Sequence, residues 1–460
     1  MKPILNIGAL SYFFFIIFAA VYGYKEYIPT YMLVMQSLIA IAFFICLNLS
    51  LKIITIWQLL FVVLFYNIIF SVILRCLFWE YTGKPFADAV DCYFYDGLVL
   101  KYLNEEYFTF FTYGLSNVDI DDFGFLHILY VVYYFIGDVD IARNVLLVLN
   151  SLCITYTSYL VYKFCLMLNI KMRTALVAGG GYGFFPFMVV TSAVGLKENF
   201  FCLFITLSFY LMYVYKDRKS IYILIITLLL IASTWLFRMA VSLMIFLSFC
   251  LFLFVNDRNK KMIFYLVVIG IILTPFILNF FLIVATGFSL DHILAVTEAR
   301  GRGIEGNASM KWGIQILSSF LGPFPNFTRT AQYGIYHSAG LLLKSLMSFF
   351  FFCGLSAVWR RMDIKIYPVV LYLLMGGVML VLAGVALDMR YHVTFFSLWI
   401  ILGAYAWQYA KPKKITFFVQ RIDFWRILSF RPAHGTFCKR DIAPPASKPG
   451  KPGRWPRGLS

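Results

Sequence analysis

The chain has 460 residues, of which 62% are hydrophobic, 20% aromatic and only 13% charged, and its mean hydropathy is +0.83. A water-soluble fold of that composition would be coated in apolar surface, so the solvent for most of it must be lipid and the expected fold is all-α, a polytopic bundle of transmembrane helices. The formal net charge of +17 does not point to nucleic acid, because the basic residues fall in short loops instead of on one basic domain.

A helix that crosses a bilayer needs about 20 mostly apolar residues. Runs of that kind lie near 4–23, 31–49, 56–74, 143–166, 174–192, 199–215, 262–284, 341–358, 367–385 and 394–409. Between Lys219 and Asn256 the apolar character breaks only at Trp235 to Arg238, which leaves room for two short helices hinged at that arginine and brings the count to about twelve spans. The count can be tested, because basic residues favour cytoplasmic loops. Lys2, Lys52, Lys171 with Arg173, Lys216 to Lys219, Arg258 to Lys261, Arg360 to Lys365 and Lys411 to Lys414 all fall on one side of it.

The resulting layout has both termini in the cytoplasm. Three transmembrane helices (1–74) lead to an acidic outer loop (75–142), a transmembrane core (143–284), a basic outer loop (285–340) and the last transmembrane helices (341–410). The first run follows Met1-Lys2 and ends near Ala19-Ala20, as a signal peptide would, but parity with the later loops favours a retained helix. The basic tail, 411–460, turns to Pro, Gly, Lys and Arg from Arg421 onward, a composition expected to be disordered.

The usual soluble-enzyme signatures are missing: there is no HExxH, GxSxG or Walker loop. Gly179-Gly180-Gly181-Tyr182-Gly183 lies inside an apolar run and reads as close helix packing. His127 reads as a hydrogen-bonded interfacial residue. The nine cysteines are scattered without metal-ligand spacing; Cys76 and Cys92 share a loop and could pair in an oxidising compartment, although packed or free thiols suit the scatter better.

The charges that remain are concentrated. The first outer loop carries Asp88, Asp91, Asp96, Asp119, Asp121 and Asp122, and the second carries Arg300, Arg302, Lys311 and Arg329. Lys197-Glu198, Arg238, and Asp388 with Arg390-Tyr391-His392 stand at or inside span ends, where a charge costs about 2.5–3.5 kcal/mol on insertion scales. All of them map to the outer face. Carboxylates facing cations suit a transfer in which an acid takes the proton of an acceptor hydroxyl while arginine and lysine neutralise a departing phosphate.

These residues resemble the GT-C superfamily of multi-span glycosyltransferases, in particular its bacterial polysaccharide-assembly members. The likeness runs over about residues 76–408. It rests on the acidic first loop (Asp88, Asp91, Tyr95), Gly124 to Tyr130, Phe135 to Asp138 with Ala142-Arg143-Asn144, Gly195-Leu196-Lys197-Glu198, Gly322 to Pro325 and Arg390-Tyr391. It implies a polyprenyl-phosphate-linked sugar donor, a glycan or glycolipid acceptor, and a place in the bacterial inner membrane. Asp91, or else Asp88, would be the base, with Glu198 as a second carboxylate. Lys197, Arg238, Arg300, Arg302, Arg390, Tyr391 and His392 would surround the carrier phosphate. The family's second-loop acid often assists or holds a metal, so a divalent ion stays open as cofactor. This chain places two spans ahead of the usual first one and has no clear two-acid DxD in the stretch leading directly into Glu198. The alternative is a transporter or flippase of lipid-linked oligosaccharide, which predicts internal repeats and polar residues near span centres.

Overall fold

The computed structural model describes residues 27–49, 55–86, 89–103, 105, 107, 109–112, 120–254, 308–321, 334–361, 363–386 and 388–409, with isolated positions between 265 and 280. Residues Met1–Lys411 form one unit; the whole basic tail, 411–460, lies outside the described residues. The described residues are helical, with no strand among them.

The helices are α1 (Tyr27–Leu49), α2 (Ile56–Thr82), α3 (Val90–Tyr102), α4 (Ile120–Ile136), α5 (Val139–Met167), α6 (Met172–Gly183), α7 (Pro186–Ala193), α8 (Glu198–Arg218), α9 (Ile221–Trp235), α10 (Met239–Phe254), α11 (Ala308–Leu321), α12 (Gly334–Arg361), α13 (Tyr367–Leu382) and α14 (Met389–Tyr409). Local chemistry sets several boundaries. Thr55 and Gln58 make a reciprocal capping box at the start of α2, and Gly83, at φ +64°, returns its N–H to Trp79 O at the end. Asp138 accepts from Ile141 N and starts α5. Pro186, which cannot donate, separates α6 from α7 with a bend of 41°.

Among the described residues, five helices are long and apolar enough to cross a bilayer, or six if α6 and α7 make one bent span. That is fewer than the dozen expected from the sequence. The runs at 4–23 and 262–284 lie outside the described residues, apart from isolated positions. Helices α9 and α10, with 15 and 16 residues, are each shorter than a span, as the break at Arg238 foretold. Helix α14 is 21 residues long but sits in the bundle interior, so its polar residues meet protein instead of lipid.

Small residues bring the helices together. A Cβ on Gly179 would lie 2.9 Å from Ser158 O, and one on Gly183 2.6 Å from Val63, so the glycine run packs α6 against α5 and α2 as its composition implied; Gly181 faces open space. Ser158 donates to Gly179 O and Asn67 to Gly183 O across the same contacts. Cys76 and Cys92 are free thiols, the second buried.

The chain from 75 to 142 is not irregular throughout, since it contains α3 and α4. Helix α11, in the stretch expected to be the basic outer loop, has its polarity reversed: Gln315, Ser318 and Ser319 are buried, while Ile316, Leu317 and Leu321 are exposed. That is the pattern of a segment facing hydrocarbon. Its Phe320 stacks on Phe351 of α12 at 6.1 Å and covers Gly377 of α13, so the last turn of α11 lies beside the middle of both helices.

The two ends of the bundle differ in charge. Lys171, Lys216, Arg218, Lys219, Arg361 and Lys365 gather where α5, α8 and α14 finish: Lys171 N bonds Gln408, Arg361 lies 4.0 Å over the Tyr409 ring, and the Tyr213 hydroxyl donates to Lys365 O. The opposite end holds the residues described next.

Candidate functional site

Asp91 stands in the first turn of α3, Glu198 opens α8, and Arg390 is the second residue of α14. Acids in first turns are favoured by the helix dipole, and Asp388 accepts from Arg390 N at 3.0 Å to start α14. The guanidinium of Arg390 joins the two acids: Nε donates to Glu198 Oε1 at 2.5 Å and Nη1 to Asp91 Oδ2 at 2.6 Å. The Glu198 side chain is 1% exposed and that of Asp91 44%, so the pair has a buried arm and a wet one. Glu198 Oε2 is buried without a partner among the described residues, an oxygen still able to accept.

Two further cations border this triad. Lys197 pairs with Asp122 at the start of α4 and lies 5.9 Å from the Tyr95 ring centre. Burial, with the negative charges of Glu198 and Asp91, pushes the Tyr95 phenol well up, so it stays neutral. Arg238, at the α9–α10 break, stacks 4.7 Å over Tyr391, whose ring also lies 5.9 Å from the Arg390 guanidinium. No hydrogen bond from the Arg238 guanidinium occurs among the described residues, so its fork of donors is uncommitted, whereas Arg390 has spent two of its donors on carboxylates. The break itself is pinned to α4 by Gly124 N donating to Leu236 O at 2.8 Å. Only glycine permits that approach, because a Cβ there would lie 2.8 Å from the Phe237 ring.

The structure therefore brings together Asp91, Glu198, Lys197, Arg238, Arg390 and Tyr391. Asp88, Arg300 and Arg302 lie outside the described residues. His392 is apart from the others. Two positions along a helix point to different sides, and its buried ring runs into the bundle, with Nε2 donating to Ala386 O and Nδ1 2.6 Å from Lys344 Nζ. His127 donates from Nδ1 to Phe123 O inside an aromatic cage of Phe110, Phe111 and Phe123, and its buried Nε2 has no partner among the described residues.

Beside the triad is a second ionic cluster that sequence reasoning did not single out. Asp96, on α3, is held by Arg143 through Nε at 3.1 Å and Nη2 at 2.5 Å, and by the Tyr133 hydroxyl at 2.5 Å. Arg75 of α2 donates to Ala193 O and Arg143 O. Both guanidiniums face the Phe86 ring. Asp96 thus ties α3 to α4 and α5. Arg75 and Arg143 flank predicted span ends in the sequence, and that shared position was the available signal; Asp96 stood among the acids of the first outer loop.

A third cluster joins Lys344, a lone lysine in the apolar run 341–358 and itself the signal, to His392 of α14. Lys344 Nζ donates to Ser318 O at 3.3 Å and Ser319 O at 3.0 Å, capping the last turn of α11.

Among the described residues the two carboxylates of the site are engaged by an arginine, and no group of three His, Cys, Asp or Glu side chains converges. Compared with models of known protein families and with curated proteins, the sequence matches none.

Proposed function

We propose that the chain is a membrane glycosyltransferase or polymerase that moves sugar from a polyprenyl (pyro)phosphate carrier to a glycan or glycolipid acceptor in surface polysaccharide assembly. It would sit in a bacterial inner membrane with about twelve spans and cytoplasmic termini. The observation that carries this reading is the convergence of Asp91, Glu198, Lys197, Arg238 and Arg390, from separate helices and turns, at the end of the bundle opposite the basic loops. Asp91 takes the proton of the acceptor hydroxyl as its oxygen bonds to the sugar's anomeric carbon. The bond from that carbon to the carrier phosphate breaks, and the phosphate leaves as an anion beside Arg238. Glu198 is the second carboxylate, orienting the acceptor, and its Oε2 has no partner among the described residues. Incubation of the purified protein with defined polyprenyl-phosphate sugars, read by mass spectrometry, tests it: free polyprenyl phosphate and an extended acceptor are expected.

One observation favours the second reading, a transporter or flippase of lipid-linked oligosaccharide: Lys344 and His392 form a buried polar pair inside the helices. A flippase returns its lipid-linked substrate unbroken, so the same mass spectrum separates the two.

A further inference from the structure

We infer that Arg390 is a latch on Asp91 and that the carrier's phosphate opens it, so that the base comes free of the arginine only once the donor is bound; the inference rests on the carrier reading above. As the site stands, Arg390 Nη1 donates to Asp91 Oδ2 at 2.6 Å, so the carboxylate is held against the guanidinium and only its other oxygen is open to a hydroxyl. The two arms of Arg390 are unequal. The arm to Glu198 is buried, and separating buried opposite charges is costly, whereas the arm to Asp91 is open to water on the carboxylate side. An arriving anion therefore displaces Asp91 and leaves Glu198 in place.

The surroundings provide for that exchange. Arg238 faces the same Tyr391 ring as Arg390 and makes no guanidinium hydrogen bond among the described residues, so a phosphate that docks on Arg238 meets Arg390 across that ring. Helix α3 does not depend on the Asp91 contact for its position, because Asp96 anchors it to Arg143 and Tyr133. Release of Asp91 thus frees a side chain without unmooring its helix. The order follows: donor first, then proton transfer from the acceptor.

The test is binding of a polyprenyl phosphate to the full chain in lipid nanodiscs, titrated by native mass spectrometry. Asp91→Asn removes the competing charge, so affinity should rise about tenfold, equivalent to about 1.4 kcal/mol. Asp91→Ala should shift it the same way, and either folded variant suffices. Arg238→Gln should weaken binding. Asp140→Asn, which removes an exposed carboxylate paired to Arg143, should leave it unchanged. Unchanged or weaker binding by the Asp91 variants, with the wild type binding normally, overturns the latch alone. No binding by the wild type or by either Asp91 variant overturns the carrier reading and the latch with it.

Discussion

Arg390 and Glu198 lie 192 residues apart in the chain, yet Nε of the arginine meets Oε1 of a glutamate that is almost wholly buried. Removing one partner of such a pair strands the other, at a cost of about 3–5 kcal/mol, while neutralising both relieves most of that cost. Arg390→Met should therefore lower the melting temperature of the detergent-solubilised protein sharply, and adding Glu198→Gln should recover most of the loss. Equal melting of the single and double variants would show that the pair carries no buried charge.

The anchor of α3 makes a separate prediction. The Tyr133 hydroxyl donates to Asp96 at 2.5 Å, and a hydrogen bond to a charged group contributes about 1.5–3 kcal/mol. Tyr133→Phe keeps the ring and removes only that bond, so it should destabilise the protein by that amount in a denaturation series. A change below about 0.5 kcal/mol, the ordinary range of neutral surface substitutions, would mean that Asp96 is satisfied by Arg143 alone.

Much of this was legible in the sequence, and the failures have physical causes. Runs of apolar residues disclosed the helices at 56–74, 143–166 and 199–215, because lipid demands length and hydropathy. The span-end charges Lys197-Glu198, Arg238 and Arg390 were readable as one group from parity, and they do meet. Pairings were not readable. Nothing in the sequence says that Asp96 belongs to Arg143 or that Arg390 takes both Asp91 and Glu198, since such partners are chosen by packing over long separations. His392 was grouped with Arg390 by adjacency, although helical geometry sends neighbours two apart to different sides. Helix α11 was read as water-facing loop because its Lys311 and the nearby arginines outweighed a short apolar stripe; Ile316, Leu317 and Leu321 show their meaning only once Gln315 and Ser319 are seen to be buried.

That reversed polarity predicts contact with hydrocarbon. Leu317→Cys, in nanodiscs, should resist a membrane-impermeant maleimide while remaining reactive in denaturant. Rapid labelling in the intact bilayer would place α11 in water.

Orientation is testable with a pair of sites at opposite ends of the bundle. Asp140, exposed at the start of α5, and Lys219, at the end of α8, lie on the acidic and basic ends respectively. Basic loops stay inside. Asp140→Cys should be labelled from outside intact cells and Lys219→Cys only after permeabilisation; the reverse pattern would invert the protein in the membrane.

The central claim, that Asp91 is the base of a sugar transfer, is met most directly by the turnover of Asp91→Asn on folded protein supplied with a polyprenyl-phosphate sugar. The substitution is nearly isosteric and removes the basic oxygen, and a positioned general base contributes about 10²- to 10⁴-fold. The account predicts a fall of at least about a hundredfold in released polyprenyl phosphate, accompanied by tighter binding of that product. A variant that keeps more than about a tenth of the wild-type rate, below the effect of any general base, would contradict it.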